Sequence, residues 1–199
     1  QYYAAAISFS SGLSITYLLL SLFPDFTEGA AVISQVLFFS VLFGFVVHHV
    51  SEKYIYLSHP KHDLIKLLTL EEHVFYFIYH FILGILIVFF TKESITGSLL
   101  FFIPILAYTL ISSLATEPYE KWHHSWFASS ATMWGVLFVS FIWTTIPVWI
   151  YYTLLGTVVG VLLYSIVRHH IPFGEKGNPF YFLVGSVLYS ILVIVSWVV

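Results

Sequence analysis

Ten histidines and ten carboxylates are the side chains of this 199-residue chain best suited to hold a metal or move a proton near neutral pH. Cysteine is absent, so thiolate sites and disulfides are excluded. His80 stands out among the ten. It lies near the middle of an apolar run, Tyr76-Phe77-Ile78-Tyr79-His80-Phe81-Ile82-Leu83-Gly84, which Ile85 to Phe90 complete. An ionisable group at bilayer depth is costly, which makes it a functional-site hypothesis by default. No carboxylate accompanies it at that depth on the same segment.

His73 shares a helix face with His80, but seven residues separate them by roughly 10 Å along a helix axis. One ion held by both needs ligands from other helices. Nearer the segment ends, His48, His49 and Glu52 could approach Glu71, Glu72 and His73, a nitrogen and oxygen donor set suited to a divalent ion such as Zn²⁺ or Fe²⁺. The candidate ligands are therefore His80, His49, Glu52 and His73. Against ligation stand two plainer readings. His80 can make a structural hydrogen bond to a hydroxyl of the Tyr79, Tyr108, Thr109 or Ser112 kind, and the other groups can be interfacial residues bathed in headgroups and water.

Other chemistries fit less well. Bis-histidine haem needs a second imidazole as deep as His80, whereas His123-His124 and His169-His170 lie near the surface and suit only a peripheral haem. A di-iron centre of the hydroxylase kind needs repeated histidine boxes, and Pro60 interrupts the spacing in His59-Pro60-Lys61-His62. Glu71-Glu72-His73 has the wrong order for a zinc protease. No enzyme is expected.

These residues must be positioned by membrane-spanning elements. Apolar residues make up 59% of the chain, aromatics 20% and charged residues 9%, against roughly 25% charged in a soluble domain. Too little polar material remains to cover a water-facing surface, so the chain reads as an integral membrane protein. Seven segments are long enough to span the bilayer, 4–23, 31–57, 71–90, 96–115, 123–145, 147–168 and 180–199. Pro24-Asp25 and Glu28-Gly29 punctuate the first, Thr91-Lys92-Glu93-Ser94 the third, and Gly174 to Pro179 precede the last. Runs this long without alternation are helices, not strands. The expected fold is a single all-α, polytopic transmembrane domain over 1–199, with a histidine-containing cytoplasmic loop at about 49–70.

The loops 49–70, 116–122 and 169–179, with flanking Arg168, hold Lys53, Lys61, Lys66, Lys121, Arg168 and Lys176, and the opposite side holds only Lys92. By the positive-inside rule the first side is cytoplasmic. A net charge of −3 leaves no basic patch for nucleic acid, so the bilayer itself is the expected partner. Trp122, Trp126, Trp143, Trp149 and Trp197 fall near segment ends, as an interfacial belt requires. Gly156-Thr157-Val158-Val159-Gly160 has the spacing for close helix packing, either within the chain or in a homodimer or larger membrane complex. The only methionine is Met133, so a removed signal peptide or a preceding helix is expected before Gln1.

The segments together resemble the ZIP (Zrt/Irt-like) metal transporters. Phe9-Ser10-Ser11-Gly12-Leu13 through Leu22-Phe23-Pro24-Asp25 to Glu28 is similar to that family's second helix, and Phe43-Gly44-Phe45 to Glu52-Lys53 to its third. Ser129 to Gly135 resembles the sixth, and Leu154-Leu155-Gly156-Thr157 to Leu163-Tyr164, with Pro172, the seventh. The resemblance implies eight helices, of which the first would be missing here. It also implies metal ligands on the fourth and fifth helices. The fourth helix's His-Asn-x-x-Asp-Gly reads Tyr79-His80-Phe81-Ile82-Leu83-Gly84, and the fifth's His-Glu stretch reads Tyr108-Thr109-Leu110-Ile111-Ser112. Tyr79, His80, Leu83, Tyr108, Thr109 and Ser112 are thus the transport-pathway positions by resemblance, with most donors replaced. The expectation is a structural or accessory subunit of a membrane complex with a degenerate metal site. The alternative is a zinc, iron or manganese transporter of altered selectivity.

Overall fold

Backbone groups in lipid have to be satisfied within the segment, and every described element is helical. A computed structural model describes residues 2–115, 130–170 and 177–198. Helix α1 (Tyr2–Tyr17) runs through a π-helical turn at Leu18–Leu22 into α2 (Phe23–Ile33). Pro24-Asp25 therefore does not end the first helix. In the π turn the Phe23 N–H bonds Leu18 O, one residue further back than in an α-helix. That slack accommodates a proline ring with no N–H to donate.

Helix α3 (Phe38–Ser58) is followed almost at once by α4 (Lys61–Glu93). The stretch 49–70, expected as a loop, is helical except at His59 and Pro60. His59 is extended (φ −125°, ψ 146°), the conformation that a following proline imposes. Pro60 O then accepts the Asp63 N–H at 3.0 Å and starts α4. The polar residues of 49–70 sit on helix ends rather than in a free loop.

Helix α5 (Ile95–Ala115) begins after Ser94, whose Oγ accepts the Gly97 N–H at 3.2 Å. Helix α6 (Ala131–Leu137) continues as a π turn at Phe138–Ile142, and α7 (Val148–Ser165) does the same at Ile166–His170. Helix α8 (Pro179–Val198) is capped by Asn178, whose Oδ1 accepts the N–H groups of Phe180 and Tyr181 at 3.1 and 3.4 Å. Pro179 occupies the first helical position, where no donor is needed.

Among the described residues five stretches are long and apolar enough to cross a membrane: Ala4–Ile33, Gln35–Ser58, His62–Glu93, Val148–Arg168 and Pro179–Trp197. Ile95–Ala107 and Ala131–Ile142 are shorter apolar helices in the positions of the fourth and fifth expected spans. Residues 116–129, with the expected loop 116–122, His123 and His124, lie outside the described residues, as do 171–176 of the loop 169–179.

Contacts divide the chain into two units: Gln1–Val32, Phe90–Tyr119 and Leu162–Val199, and Ile33–Phe89 with Glu120–Val161. In the first, α1 packs on α8 and α5. A Cβ on Gly12 would overlap Phe182 O, and one on Gly185 would overlap Phe9 O, so the two backbones touch through paired glycines. Tyr17 packs edge-on against Tyr189 and Phe101, with ring centroids 5.7 and 6.1 Å apart. Pro104 lies inside α5 and cannot donate to Leu100 O four residues back. Tyr189 from α8 supplies the missing donor, its hydroxyl 2.9 Å from Leu100 O.

The second unit repeats the glycine device twice. Gly44 in α3 faces the backbone of Thr157 and Val161 while Gly160 in α7 faces that of Val41 and Phe45. Gly84 in α4 and Gly135 in α6 are matched in the same way. Gly160, from the expected close-packing motif, thus joins two helices of one chain.

Candidate functional site

His80 is held by the Gly84–Gly135 crossing. That contact brings the α4 and α6 backbones together, so a residue one turn before each glycine can meet its counterpart. Those residues are His80 and Thr132. His80 Nδ1 lies 3.3 Å from Thr132 Oγ1. The imidazole is 4% exposed. Tyr76, one turn earlier, packs over it at 4.0 Å between ring centroids, and Tyr79 meets it edge-on at 5.2 Å. Nε2 is buried with no hydrogen-bond partner. A structural hydrogen bond to a hydroxyl is what the sequence favours, and among the described residues the hydroxyl is that of Thr132 rather than Tyr79 or Thr109.

The remaining transport-pathway positions are apolar or uncharged. Tyr79 and Leu83 belong to the core, 6% and 2% exposed. Thr109 Oγ1 is buried without a partner. The side chains of Tyr108 and Ser112 lie outside the described residues.

A second polar group forms between α3 and α4. His48 and Glu52, one helical turn apart, are both buried. His48 Nδ1 lies 3.6 Å from Glu71 Oε1, and its ring stacks on Phe75 at 4.5 Å. At that separation the pair is an ion pair when the imidazole is protonated, not a short hydrogen bond.

His49 is exposed and stacks loosely on Phe45 of its own helix, 6.5 Å away. His73 Nδ1 is 2.6 Å from Thr69 O, a bond within α4. The side chain of Glu72 lies outside the described residues. Among the described residues no group of three His, Cys, Asp or Glu side chains is gathered that could hold an ion, where a Zn²⁺ site takes three or four. The approach of His48 to Glu71 is among those read from the sequence, although the short list of ligands keeps His49 in its place. Around the helix His48 lies about 40° to one side of Glu52 and His49 about 60° to the other, so the two histidines point about 100° apart.

No protein-family model, curated protein or solved structure matches the chain. The chemistry of His80 thus has to be read from its own surroundings. One hydroxyl, two aromatic rings and a glycine crossing give the imidazole a helix-joining role. A double-mutant cycle of His80→Phe with Thr132→Val is expected to give a coupling of about 0.6 kcal/mol, the usual scale for such bonds in membranes. Unfolding in mixed micelles measures it, and strictly additive effects would refute the bond.

Proposed function

We propose that the chain is a seven-span membrane protein of ZIP-like design that serves as a structural or accessory subunit rather than as a divalent-metal permease. The observation that carries this reading is the use made of His80. A permease of that kind offers donors at the membrane midplane to a passing ion, whereas here the midplane imidazole bonds Thr132 across a tight helix crossing. The charged alternatives near the segment ends support the same conclusion, because His48 and Glu71 engage each other and His73 engages its own backbone. Many large side chains on α3 and α8, among them Phe39, Phe43, Leu183 and Val187, face outward. These apolar surfaces suit lipid and neighbouring membrane helices alike.

One atom favours the alternative of a transporter with altered selectivity: His80 Nε2, buried and unpartnered. Both readings are separated by uptake of Zn²⁺, Fe²⁺ and Mn²⁺ into vesicles reconstituted with the purified chain. Uptake no faster than in empty vesicles is expected. Saturable uptake that His80→Ala abolishes would replace the accessory role with the transporter.

A further inference from the structure

The unit built from α1, α2, α5 and α8 contains a cavity of about 160 Å³. Its lining includes Tyr17, Ser21, Asp25, Phe101, Ser196 and Trp197. Tyr17 and Phe101, each 2% exposed, form a closed aromatic floor. Trp197, 70% exposed, and the exposed Asp25 stand at the open rim. Among the described residues the Asp25 carboxylate is the only charged group in the lining.

Electrostatics assigns the sign of what fits there. The charges that act on Asp25 come from Glu28 and Glu93, both acidic, and among the described residues no basic side chain lines the cavity. Aromatic faces are themselves electron-rich and attract cations, most of all where water is thinned. A carboxylate beside the open Trp197 ring favours a cation over an anion. The hydroxyls of Ser21 and Ser196 add acceptors but no ligating nitrogen, and a single carboxylate is a poor set for a divalent ion, which takes six or more oxygens as Ca²⁺ or a rigid octahedron as Mg²⁺.

Size narrows the class further. A cavity of about 150 Å³ is enough for benzene, six non-hydrogen atoms. Trimethylammonium and tetramethylammonium groups fall in that range, and choline reaches slightly beyond it towards the rim. We propose that this cavity binds a small organic monocation of the alkylammonium class, its charge on Asp25 and its methyl groups against Trp197, above the floor that Tyr17 and Phe101 close. The site is separate from His80 and does not depend on whether the chain transports metal.

The same alkylammonium chemistry is available from a free solute or from the headgroup of phosphatidylcholine. Calorimetric titration of the full chain in phosphatidylglycerol nanodiscs with choline and tetramethylammonium chloride, at fixed ionic strength, tests the assignment. Saturable binding of both is expected, weakened roughly tenfold or more by Asp25→Asn. Dimethylbutanol, the uncharged carbon isostere of choline, is expected to bind the unaltered protein weaker by a similar factor, a comparison that needs no variant to fold. Repeating the titration in phosphatidylcholine discs separates the sources. Loss of choline binding there assigns the headgroup and retention assigns the solute, and either result supports the class. The proposal is overturned by absence of saturable binding, by equal affinity for the isostere, by displacement with equimolar Na⁺ or Mg²⁺, or by a folded Asp25→Asn that binds as the native chain does.

Discussion

Gly84→Leu is expected to destabilise the chain by about 3 kcal/mol, the upper range for forcing bulk into a packed interior. The reason is geometric. Even a single Cβ at Gly84 would overlap Thr132 O and lie 3.0 Å from the Gly135 Cα. Those are backbone atoms, so no side chain can turn aside and α4 must move off α6. The movement also removes the hydroxyl from His80, which leaves both ring nitrogens buried without a partner. Gly97→Ala is the matched control. Its nearest neighbour would be the Ser94 Cβ at 3.6 Å, an ordinary contact, and its effect is expected to stay below about 1 kcal/mol. Unfolding curves in mixed micelles compare the two, and similar midpoints would show that the glycine crossing does not hold the helices together.

Tyr189→Phe is expected to cost about 1–3 kcal/mol although it removes a single oxygen. Pro104 has already taken away the helical donor for Leu100 O, and Tyr189 lends its hydroxyl at 2.9 Å. Without it the part-buried Leu100 carbonyl loses this second donor as well. The mechanism is tested by restoring the donor. In a Pro104→Ala background the Leu100 carbonyl can bond the Ala N–H, and Tyr189→Phe should then cost less than half as much. An equal cost in both backgrounds would mean that Tyr189 matters only for its packing on Tyr17.

Both predictions rest on contacts that bridge long stretches of sequence, and this marks what was legible beforehand. The helical character and its punctuation are local properties. Pro60 ends one helix and starts the next, Ser94 caps α5, and Asn178-Pro179 opens α8, each by chemistry carried within a few residues. Pro24 misleads because a five-residue π turn absorbs its missing donor, and nothing in Leu18-Leu19-Leu20-Ser21-Leu22 announces one. The site was legible in kind and not in partner. A hydroxyl for His80 was expected, but Thr132 is 52 residues away and is delivered by a glycine pair that only the packed helices reveal. Choosing His48 over His49 likewise required the rotational phase of α3, since adjacent histidines look alike in a string.

The length of α4 has a mechanical consequence. Its 33 residues extend about 50 Å, whereas a hydrocarbon layer of about 30 Å crossed at a tilt of about 20° uses only some 32 Å. The surplus is a rigid arm reaching into headgroups or water, and it carries Lys61, His62, Asp63 and Lys66. The helix is held twice, at the Gly84–Gly135 crossing and, about 20 Å earlier along its axis, where Glu71 and Phe75 meet His48 of α3. Two bearings on one shaft resist swinging and leave the overhang before Glu71 as a cantilever, so a load on its polar tip would bend the outer turns before it reached the buried imidazole.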